Sequence, residues 1–129
     1  MSIAIRTFGG NGGGPFDIEA VKSVGFRSGD RIDALLLNGS RYGGAGRRES
    51  TTLEFHPDEY IDRIAIRHGA RIDAIEIHTN MGRSLSAGGN GGRREELTNI
   101  RVLGLGGNSG GELDNLRVQF MPNYTPATL

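Results

Sequence analysis

The sequence predicts an all-β fold made of three similar units, and three observations support this. Short runs in which apolar and polar residues alternate recur along the whole chain, as expected for half-buried strands. Glycine accounts for 22 of the 129 residues and is clustered between these runs, where it favours tight turns and opposes helix. No window carries apolar residues at the spacing of an amphipathic helix.

Eight runs along the chain carry strand signals. A short apolar run opens the chain, and the next two runs alternate, the second less regularly. Another short run ends at a turn predicted from His-Pro-Asp at 56–58. Two strictly alternating, isoleucine-rich runs follow, and two more complete the C-terminal third. The predicted segments are 3–5, 21–26, 32–37, 53–55, 61–66, 72–77, 100–105 and 113–120, and about ten to twelve short strands are expected in all.

One five-residue pattern, Gly-x-x-x-Asp, occurs three times between predicted strands, so each copy is predicted to form a hairpin turn. The copies are 29–33, 69–73 and 110–114, and a glycine cluster precedes each one, at 9–13, 43–46 and 88–92. The terminal aspartates, Asp33, Asp73 and Asp114, are separated by about one third of the chain. A fixed period of this length is typical of repeated structural units.

Each unit reads as strand, glycine loop, strand, strand, aspartate turn and strand, which we interpret as a four-stranded antiparallel sheet. Three such sheets can bury their apolar faces against each other as a triangular prism within a single domain covering residues 1–129. A β-propeller normally needs at least about four blades. The sugar-binding β-trefoils carry a Gln-x-Trp signature, and this chain has no tryptophan.

Composition excludes several classes of protein. Lys plus Arg and Asp plus Glu number 15 each, so the net charge is zero, which argues against partners held by long-range charge, such as nucleic acid or an anionic membrane. With no cysteine, disulfides and thiolate metal sites are impossible. The N-terminal residues lack the apolar stretch of a signal peptide. We expect a cytoplasmic protein, or one exported without a recognisable signal peptide.

No residue pattern indicates a metal, a cofactor or a catalytic centre. His56, His68 and His78 lack metal-ligand spacing, so no metal is expected. The glycine cluster at 9–13 lacks the Gly-Lys-Ser/Thr ending of a nucleotide loop, so no nucleotide cofactor is expected. Asp30 and Asp33 form a carboxylate pair of the kind used in glycoside hydrolysis. Three similar shallow sites nevertheless favour binding over catalysis, and we predict that the chain is not an enzyme.

Four segments, in the same order and at matching spacing, resemble the jacalin-related lectins over essentially the whole chain. They are Gly-Gly-Asn-Gly-Gly at 9–13 with Phe16-Asp17, Ser-Gly-Asp-Arg-Ile-Asp at 28–33, His-Thr-Asn at 78–80 with Gly82, and Gly-Asn-Ser-Gly-Gly-Glu-Leu-Asp at 107–114. The resemblance implies a type I β-prism of three four-stranded antiparallel sheets with pseudo-threefold symmetry. It also implies a multivalent carbohydrate-binding lectin, associated as a homo-oligomer with a dimer favoured.

The resemblance implies three sugar sites, each pairing an aspartate turn with a glycine loop. The first site would comprise Asp30, Arg31, Ile32 and Asp33 facing Gly46 and Arg47. The second would comprise Ala70, Arg71, Ile72 and Asp73 facing Gly91 and Gly92. The third would comprise Gly111, the amides of Glu112 and Leu113, and Asp114, facing Gly13. Arg47 departs from the family pattern because it stands where the other two loops have glycine, so it can narrow the first site or add a donor.

This arrangement suits a hexose, whose neighbouring hydroxyls both donate and accept hydrogen bonds. An ionised aspartate is an acceptor only, the turn amides are fixed donors, and glycine lets the sugar ring approach the backbone. One such shallow site should bind a monosaccharide at about millimolar Kd. The turns contain no aromatic residue that could stack on galactose, which favours mannose- and glucose-containing glycans as partners. Arg31 and Arg71 can either reach along a longer glycan or contact an acidic one.

Two other functions stay open from the sequence. The chain can be a structural or protein-interaction prism whose sugar sites have degenerated, in which case a glycan array would show no binding. A calcium-dependent lectin is the other possibility, and in that case EDTA would abolish agglutination.

Overall fold

The computed structural model describes residues 2–46 and 48–125, so the predicted site residue Arg47 lies outside the described residues. The described part of the chain contains thirteen strands and no helix, so no helix long and apolar enough to cross a membrane is found in it. The strands are β1 (Ala4–Gly9), β2 (Gly14–Glu19), β3 (Ser23–Ser28), β4 (Ile32–Leu37), β5 (Ser40–Gly43), β6 (Arg48–Glu49), β7 (Leu53–Glu54), β8 (Ile61–His68), β9 (Ile72–Thr79), β10 (Ser84–Gly88), β11 (Arg93–Leu97), β12 (Arg101–Ser109) and β13 (Leu113–Met121).

The strands form three antiparallel sheets, which confirms the predicted fold class. Sheet one has the order β1-β13-β12-β2, sheet two the order β5-β4-β3-β6 with β7 also paired to β3, and sheet three the order β10-β9-β8-β11. Each sheet has a central hairpin, namely β12–β13, β3–β4 or β8–β9, flanked by two edge strands. A glycine loop joins the two edge strands of each sheet.

The grouping of strands into sheets differs from the sequence interpretation. That interpretation placed each glycine loop in one sheet with the aspartate turn that follows it in the chain. None of the three groupings is observed, because sheets two and three each combine a turn with the loop that comes after it, and the first loop is not in the sheet of the first turn. Instead, β1 pairs with β13 and β2 with β12, so the two ends of the chain complete sheet one together. The register explains this choice, because it sets Phe8 opposite Leu116 and Ala4 opposite Phe120, with both phenylalanines and Leu116 buried.

One edge of sheet two is interrupted, so the single strand expected there is divided into β6 and β7. The interruption falls at a polar Ser-Thr-Thr run, residues 50–52. Ser50 makes two hydrogen bonds to Phe26 of β3 in place of the regular backbone pairing. The Phe26 amide donates to Oγ of Ser50 at 2.8 Å, and the Ser50 amide donates to the Phe26 carbonyl at 2.8 Å. Sheet two therefore corresponds to a four-stranded sheet in which two short strands, β6 and β7, form one edge.

The core lies between the three sheets and holds their inward-facing side chains together. Phe26 of sheet two, Ile66 of sheet three and Leu116 of sheet one are all fully buried in this core. The alternation of buried and partly exposed residues along the central strands matches the period of two that the sequence predicts. The hydrophobic effect thus fixes the three hairpins relative to one another.

A buried carboxylate, which the sequence did not single out, ties together the end of the prism opposite the aspartate turns. The side chain of Glu59 has no exposed surface, and Arg83 donates to both of its oxygens, at 2.6 and 3.0 Å. The Thr79 hydroxyl and the His56 amide also donate to it, at 2.7 and 2.9 Å. These bonds, chiefly those from Arg83, lower the pKa of Glu59 from its ordinary value of 4.5 to about 2.

We predict that Glu59 makes a pH-dependent contribution to stability. Because its pKa is depressed in the folded state, the contribution is complete above the unfolded value of 4.5 and is lost as the pH falls towards 2. The free energy of unfolding of the wild type should therefore exceed that of Glu59→Gln by a margin that shrinks by about 2 kcal/mol between pH 6 and pH 3. Urea denaturation at each pH measures this margin.

The exposed carboxylate Glu54 provides the control, since Glu54→Gln should show a much smaller change of margin over the same range. A margin between wild type and Glu59→Gln that stays constant with pH would contradict the prediction.

Candidate functional site

The three predicted turns lie together at one end of the prism, which we call the apex. Each turn closes one central hairpin, and each of the glycine loops lies against a turn. Site one combines turn 29–33 with loop 43–46, site two combines turn 69–73 with loop 88–92, and site three combines turn 110–114 with loop 9–13. The structure therefore brings the predicted turns and loops together in the predicted pairs.

The three turns share one backbone closure. The amide of the first glycine donates to the carbonyl two residues later, at 3.0 Å in turn one, 3.1 Å in turn two and 3.0 Å in turn three. The fourth residue of each turn, Ile32, Ile72 or Leu113, has no exposed surface and anchors the turn in the core. The side chains of these three predicted site residues are therefore out of reach of a ligand, and only their backbone can take part in binding.

Each aspartate of the motif is the extra residue of a β-bulge. In site one, Arg27 pairs with Ala34 and Ser28 with Ile32, which leaves Asp33 without a partner on the opposite strand. Asp73 and Asp114 are bypassed in the same way in the other two hairpins. A bulge interrupts the ladder and redirects the extra side chain. The sequence pattern gave no indication of this bulge.

The bulge leaves the aspartate carbonyl free to hold the glycine loop. The carbonyls of Asp33, Asp73 and Asp114 accept hydrogen bonds from the amides of Gly44, Gly89 and Gly10, at 2.9, 3.0 and 2.8 Å respectively. The same residue therefore supplies a backbone bond that fixes the loop and a side-chain carboxylate beside that loop.

Each glycine loop packs against its aspartate so closely that a side chain would collide with the carboxyl group. A Cβ atom on Gly46 would lie 2.2 Å from Oδ2 of Asp33. On Gly92 it would lie 2.7 Å from Oδ2 of Asp73, and on Gly13 it would lie 2.9 Å from Oδ2 of Asp114. Gly13 and Gly92 also have positive φ angles of 78° and 67°, which residues with a Cβ rarely adopt. The corresponding residue of the site-one loop is Arg47.

Each loop also touches the turn of a neighbouring site. A Cβ on Gly10 would lie 2.2 Å from the Ala70 carbonyl oxygen, and one on Gly44 would lie 2.0 Å from that of Gly111. Gly89 approaches the carbonyl of Asp30 in the same way, at 2.5 Å. The backbones of the second turn residues Asp30, Ala70 and Gly111 therefore support the neighbouring loop, and the three sites form a closed ring.

Two arginines that the sequence analysis did not single out brace the loops of sites one and two. Arg27 donates from Nε to the Ala45 carbonyl at 2.8 Å and from Nη2 to the Gly46 carbonyl at 2.9 Å. Arg67 donates from Nε to the Gly91 carbonyl at 3.1 Å. The signal was present as Arg-x-Gly at the start of both motifs, whereas the third motif has Asn108 at that position.

Site three is braced differently. The side-chain amide of Asn115 donates to the Gly10 carbonyl at 3.0 Å, and the Gly9 amide donates to Nδ1 of His68 at 3.2 Å. Nδ1 therefore acts as an acceptor, which leaves Nε2 to donate to the Glu95 carboxylate. This bond is the main cause that lowers the pKa of Glu95. His68 thus connects the turn of site two to the loop of site three.

The third residue of each turn points across the apex to a neighbouring site. Nε of Arg31 lies 3.5 Å from Oδ1 of Asp73, and Nε of Arg71 lies 3.7 Å from Oδ1 of Asp114. Glu112 lies between the two arginines, 3.6 Å from Nη1 of Arg31 and 2.9 Å from Nε of Arg71. We call Arg31, Arg71 and Glu112 the central triad.

A cleft of about 520 Å³ runs between sites one and two, and both Asp33 and Asp73 line it together with Arg31 and Glu112. The aspartates are accessible but partly shielded, since the side chains of Asp73 and Asp114 are 13% and 17% exposed. Within residues 2–46 and 48–125, no group of three or more acidic, histidine or cysteine side chains is arranged to hold a metal ion. The apex thus offers fixed acceptors and backbone groups in a shallow, polar surface.

Comparison with known proteins gives consistent results. The family model described as Jacalin-like lectin domain matches residues 5–119. Griffithsin from Griffithsia sp. is 39% identical over 120 residues, which cover 92% of this chain and 98% of griffithsin. Wild-type Malaysian banana lectin has a TM-score of 0.81 at 27% identity, covering 95% of this chain and all of that one. A mannose binding jacalin related lectin from Ananas comosus has a TM-score of 0.78 at 25% identity, covering 93% and 98% of the two chains.

We predict that the last glycine of the first loop and the adjacent first glycine of β2 differ sharply in their tolerance of a side chain. Gly13→Ala should lower the midpoint of thermal unfolding by several degrees, because it strains a positive φ and places a Cβ 2.7 Å from the Ser109 carbonyl. Gly14→Ala should change the midpoint by less than about 2 °C, because its Cβ would meet nothing closer than 4.0 Å. Calorimetry of the two variants measures this. Equal effects of the two changes would contradict the loop geometry.

Proposed function

Since this chain belongs to the jacalin-like lectin family, we propose that it binds mannose- and glucose-type glycans through up to three sites at the apex. Lectins of this family bind carbohydrates and do not transform them, so the prediction that the chain is not an enzyme is confirmed. In the proposed binding mode, each site takes one hexose between the carboxylate of its aspartate and the backbone of its glycine loop.

The observation that carries this proposal is the threefold repetition of one geometry. In all three sites a bulged aspartate holds a glycine loop through its carbonyl and presents its carboxylate beside that loop. A carboxylate accepts charge-assisted hydrogen bonds from sugar hydroxyls, and rigid backbone groups lose no side-chain entropy on binding. Glycine on the side that faces the carboxylate also leaves room for a sugar ring to approach the backbone.

The choice of mannose and glucose rests on two further arguments. The third turn residues are Arg31, Arg71 and Glu112, so no aromatic ring is available there to stack on a galactose face. In addition, the relative from Ananas comosus is described as mannose binding. One site should bind a monosaccharide at about millimolar Kd, and linkage of several sites can raise avidity for a clustered glycan by about 10²–10⁴.

We predict that each aspartate controls its own site. Addition of methyl α-mannoside at millimolar concentrations should change the amide chemical shifts of glycines in the three loops. NMR spectra recorded during the titration measure these changes. Asp73→Asn should abolish the shifts in loop 88–92, because an amide cannot provide two acceptor oxygens, and should largely preserve those of loop 9–13. Asp33→Asn and Asp114→Asn should act in the same way on their own loops.

Asp58→Asn is a matched control on the opposite end of the prism, since its φ of 67° is one that asparagine tolerates. It should leave all three sets of shifts intact. We expect site one to be the weakest of the three, because Arg47 stands where sites two and three have glycine. Absence of shifts with mannose, glucose and galactose would refute the lectin and favour a structural or protein-interaction prism.

We also propose that two copies associate through sheet one. Its edge strand β1 exposes Ile5 by 58%, next to Ile3, which is 57% exposed. An apolar edge of this kind favours pairing with another chain. Sedimentation equilibrium should give a dimer that Ile5→Lys dissociates, whereas Met81→Lys, at another exposed apolar residue, should leave it intact. A wild-type monomer at all concentrations would contradict this proposal.

A further inference from the structure

The central triad makes the three sites chemically different, although their aspartates and loops are alike. The third turn residue of each site reaches the next site, so Arg31 lies beside Asp73 of site two and Arg71 beside Asp114 of site three. The corresponding residue of the third turn is the anion Glu112. Its carboxylate contacts both arginines, so the triad is one connected group of charges.

We propose that Arg31 and Arg71 form extension subsites for sites two and three, and that each binds the second residue of a neutral oligosaccharide whose first hexose lies on the adjacent aspartate. This inference rests on the proposed function and deepens it. Site one has no equivalent arginine from a neighbouring turn, since the third turn contributes Glu112 in its place. Sites two and three should therefore prefer longer glycans, and site one should not share this preference.

The distances to the aspartates leave the arginines available to a ligand, and the shorter contact of 2.9 Å, from Nε of Arg71, is made to Glu112 and not to a site aspartate. Contacts of 3.5 and 3.7 Å between guanidinium and aspartate are too long for good hydrogen bonds. A sugar hydroxyl can accept from the guanidinium and donate to the carboxylate at the same time, so it satisfies both groups better than they satisfy each other. Arg31 and Arg71 are also 47% and 45% exposed at their side chains, and half-exposed ion pairs contribute little stability. A ligand can therefore rearrange them at small cost.

The surroundings of the arginines favour a neutral glycan over an acidic one. Arg31 lies between the carboxylates of Asp73 and Glu112, and Arg71 lies between those of Glu112 and Asp114. Each guanidinium charge is thus already balanced from two sides, and a sulfate or uronate group would have to approach these carboxylates. Sugar hydroxyls meet no such repulsion.

The cleft between sites one and two gives the second sugar residue a place. It extends from Asp73 past Arg31 and Glu112 to Asp33, so a chain that begins at site two can continue along it. Arg31 lies at the site-two end of this cleft, with Nε 3.5 Å from Oδ1 of Asp73, so its donors serve a chain that begins at site two.

The test compares methyl α-mannoside with an α-linked mannobioside in variants that keep one site. The double variant Asp33→Asn/Asp114→Asn keeps site two, and its affinity for the disaccharide should exceed that for the monosaccharide by at least fivefold. Adding Arg31→Ala should reduce this ratio to about two, the statistical value for two sugar residues. Adding Arg41→Ala, which removes an exposed arginine of β5, is the matched control and should preserve the ratio. The variant Asp73→Asn/Asp114→Asn, which keeps site one, should show a ratio of about two from the start.

Three results would overturn the inference while leaving the lectin intact. The first is that Arg31→Ala leaves the affinities for both sugars unchanged. The second is that it lowers both affinities by the same factor, which would mean that Arg31 only orients Asp73. The third is tighter binding of a sulfated mannoside than of the neutral disaccharide. If the wild type binds neither mannoside, the proposed function itself fails. NMR titration, with loop 88–92 as the reporter of site two, separates these outcomes.

Discussion

The apex depends on one constraint, the β-bulge at each aspartate. An aspartate paired regularly in the ladder would use its carbonyl within the hairpin and would follow the strict alternation of faces. The bulge frees the carbonyl of Asp33, Asp73 or Asp114 to accept a glycine amide from the loop. It also lets the residue before the aspartate, Ile32, Ile72 or Leu113, stay buried in the core while the aspartate side chain lies at the surface.

This constraint links the sites to the core and to each other. The buried Ile32, Ile72 and Leu113 hold the turns, the bulged carbonyls hold the loops, and the loops in turn press on the neighbouring turns. Each loop therefore has two supports from two sheets. A rigid ring of this kind suits the binding of hydroxyl groups, whose individual bonds are weak and whose total depends on preorganised partners.

The sequence was sufficient to predict the fold class, the position of each turn and the pairing of each loop with its turn. Alternation of apolar residues gave the strands, and the resemblance gave the loop pairs. It was not sufficient for the grouping of strands into sheets, because the pairing of Phe8 with Leu116 joins the two ends of the chain and leaves each other turn to the loop that comes after it. The bulges could not be predicted either, since Arg-Ile-Asp-Ala has the polar and apolar alternation of a regular strand. A bulge becomes visible only when the pairing with the opposite strand is known.

The residues that repeat in all three sites differ in kind from those that do not. Glycine is required in the loops because an added Cβ would lie only 2.0 to 2.9 Å from the opposing carboxylate or the neighbouring turn. An apolar fourth turn residue is required because it is buried in the core. Side chains that point away from these contacts are free to vary, and they do: Arg27, Arg67 and Asn108 brace or flank the loops, while Arg31, Arg71 and Glu112 cross the apex. Differences in what the three sites bind therefore originate in these outward residues and in Arg47 of the first site, because the shared aspartates, glycines and buried turn residues give every site the same acceptor and the same frame.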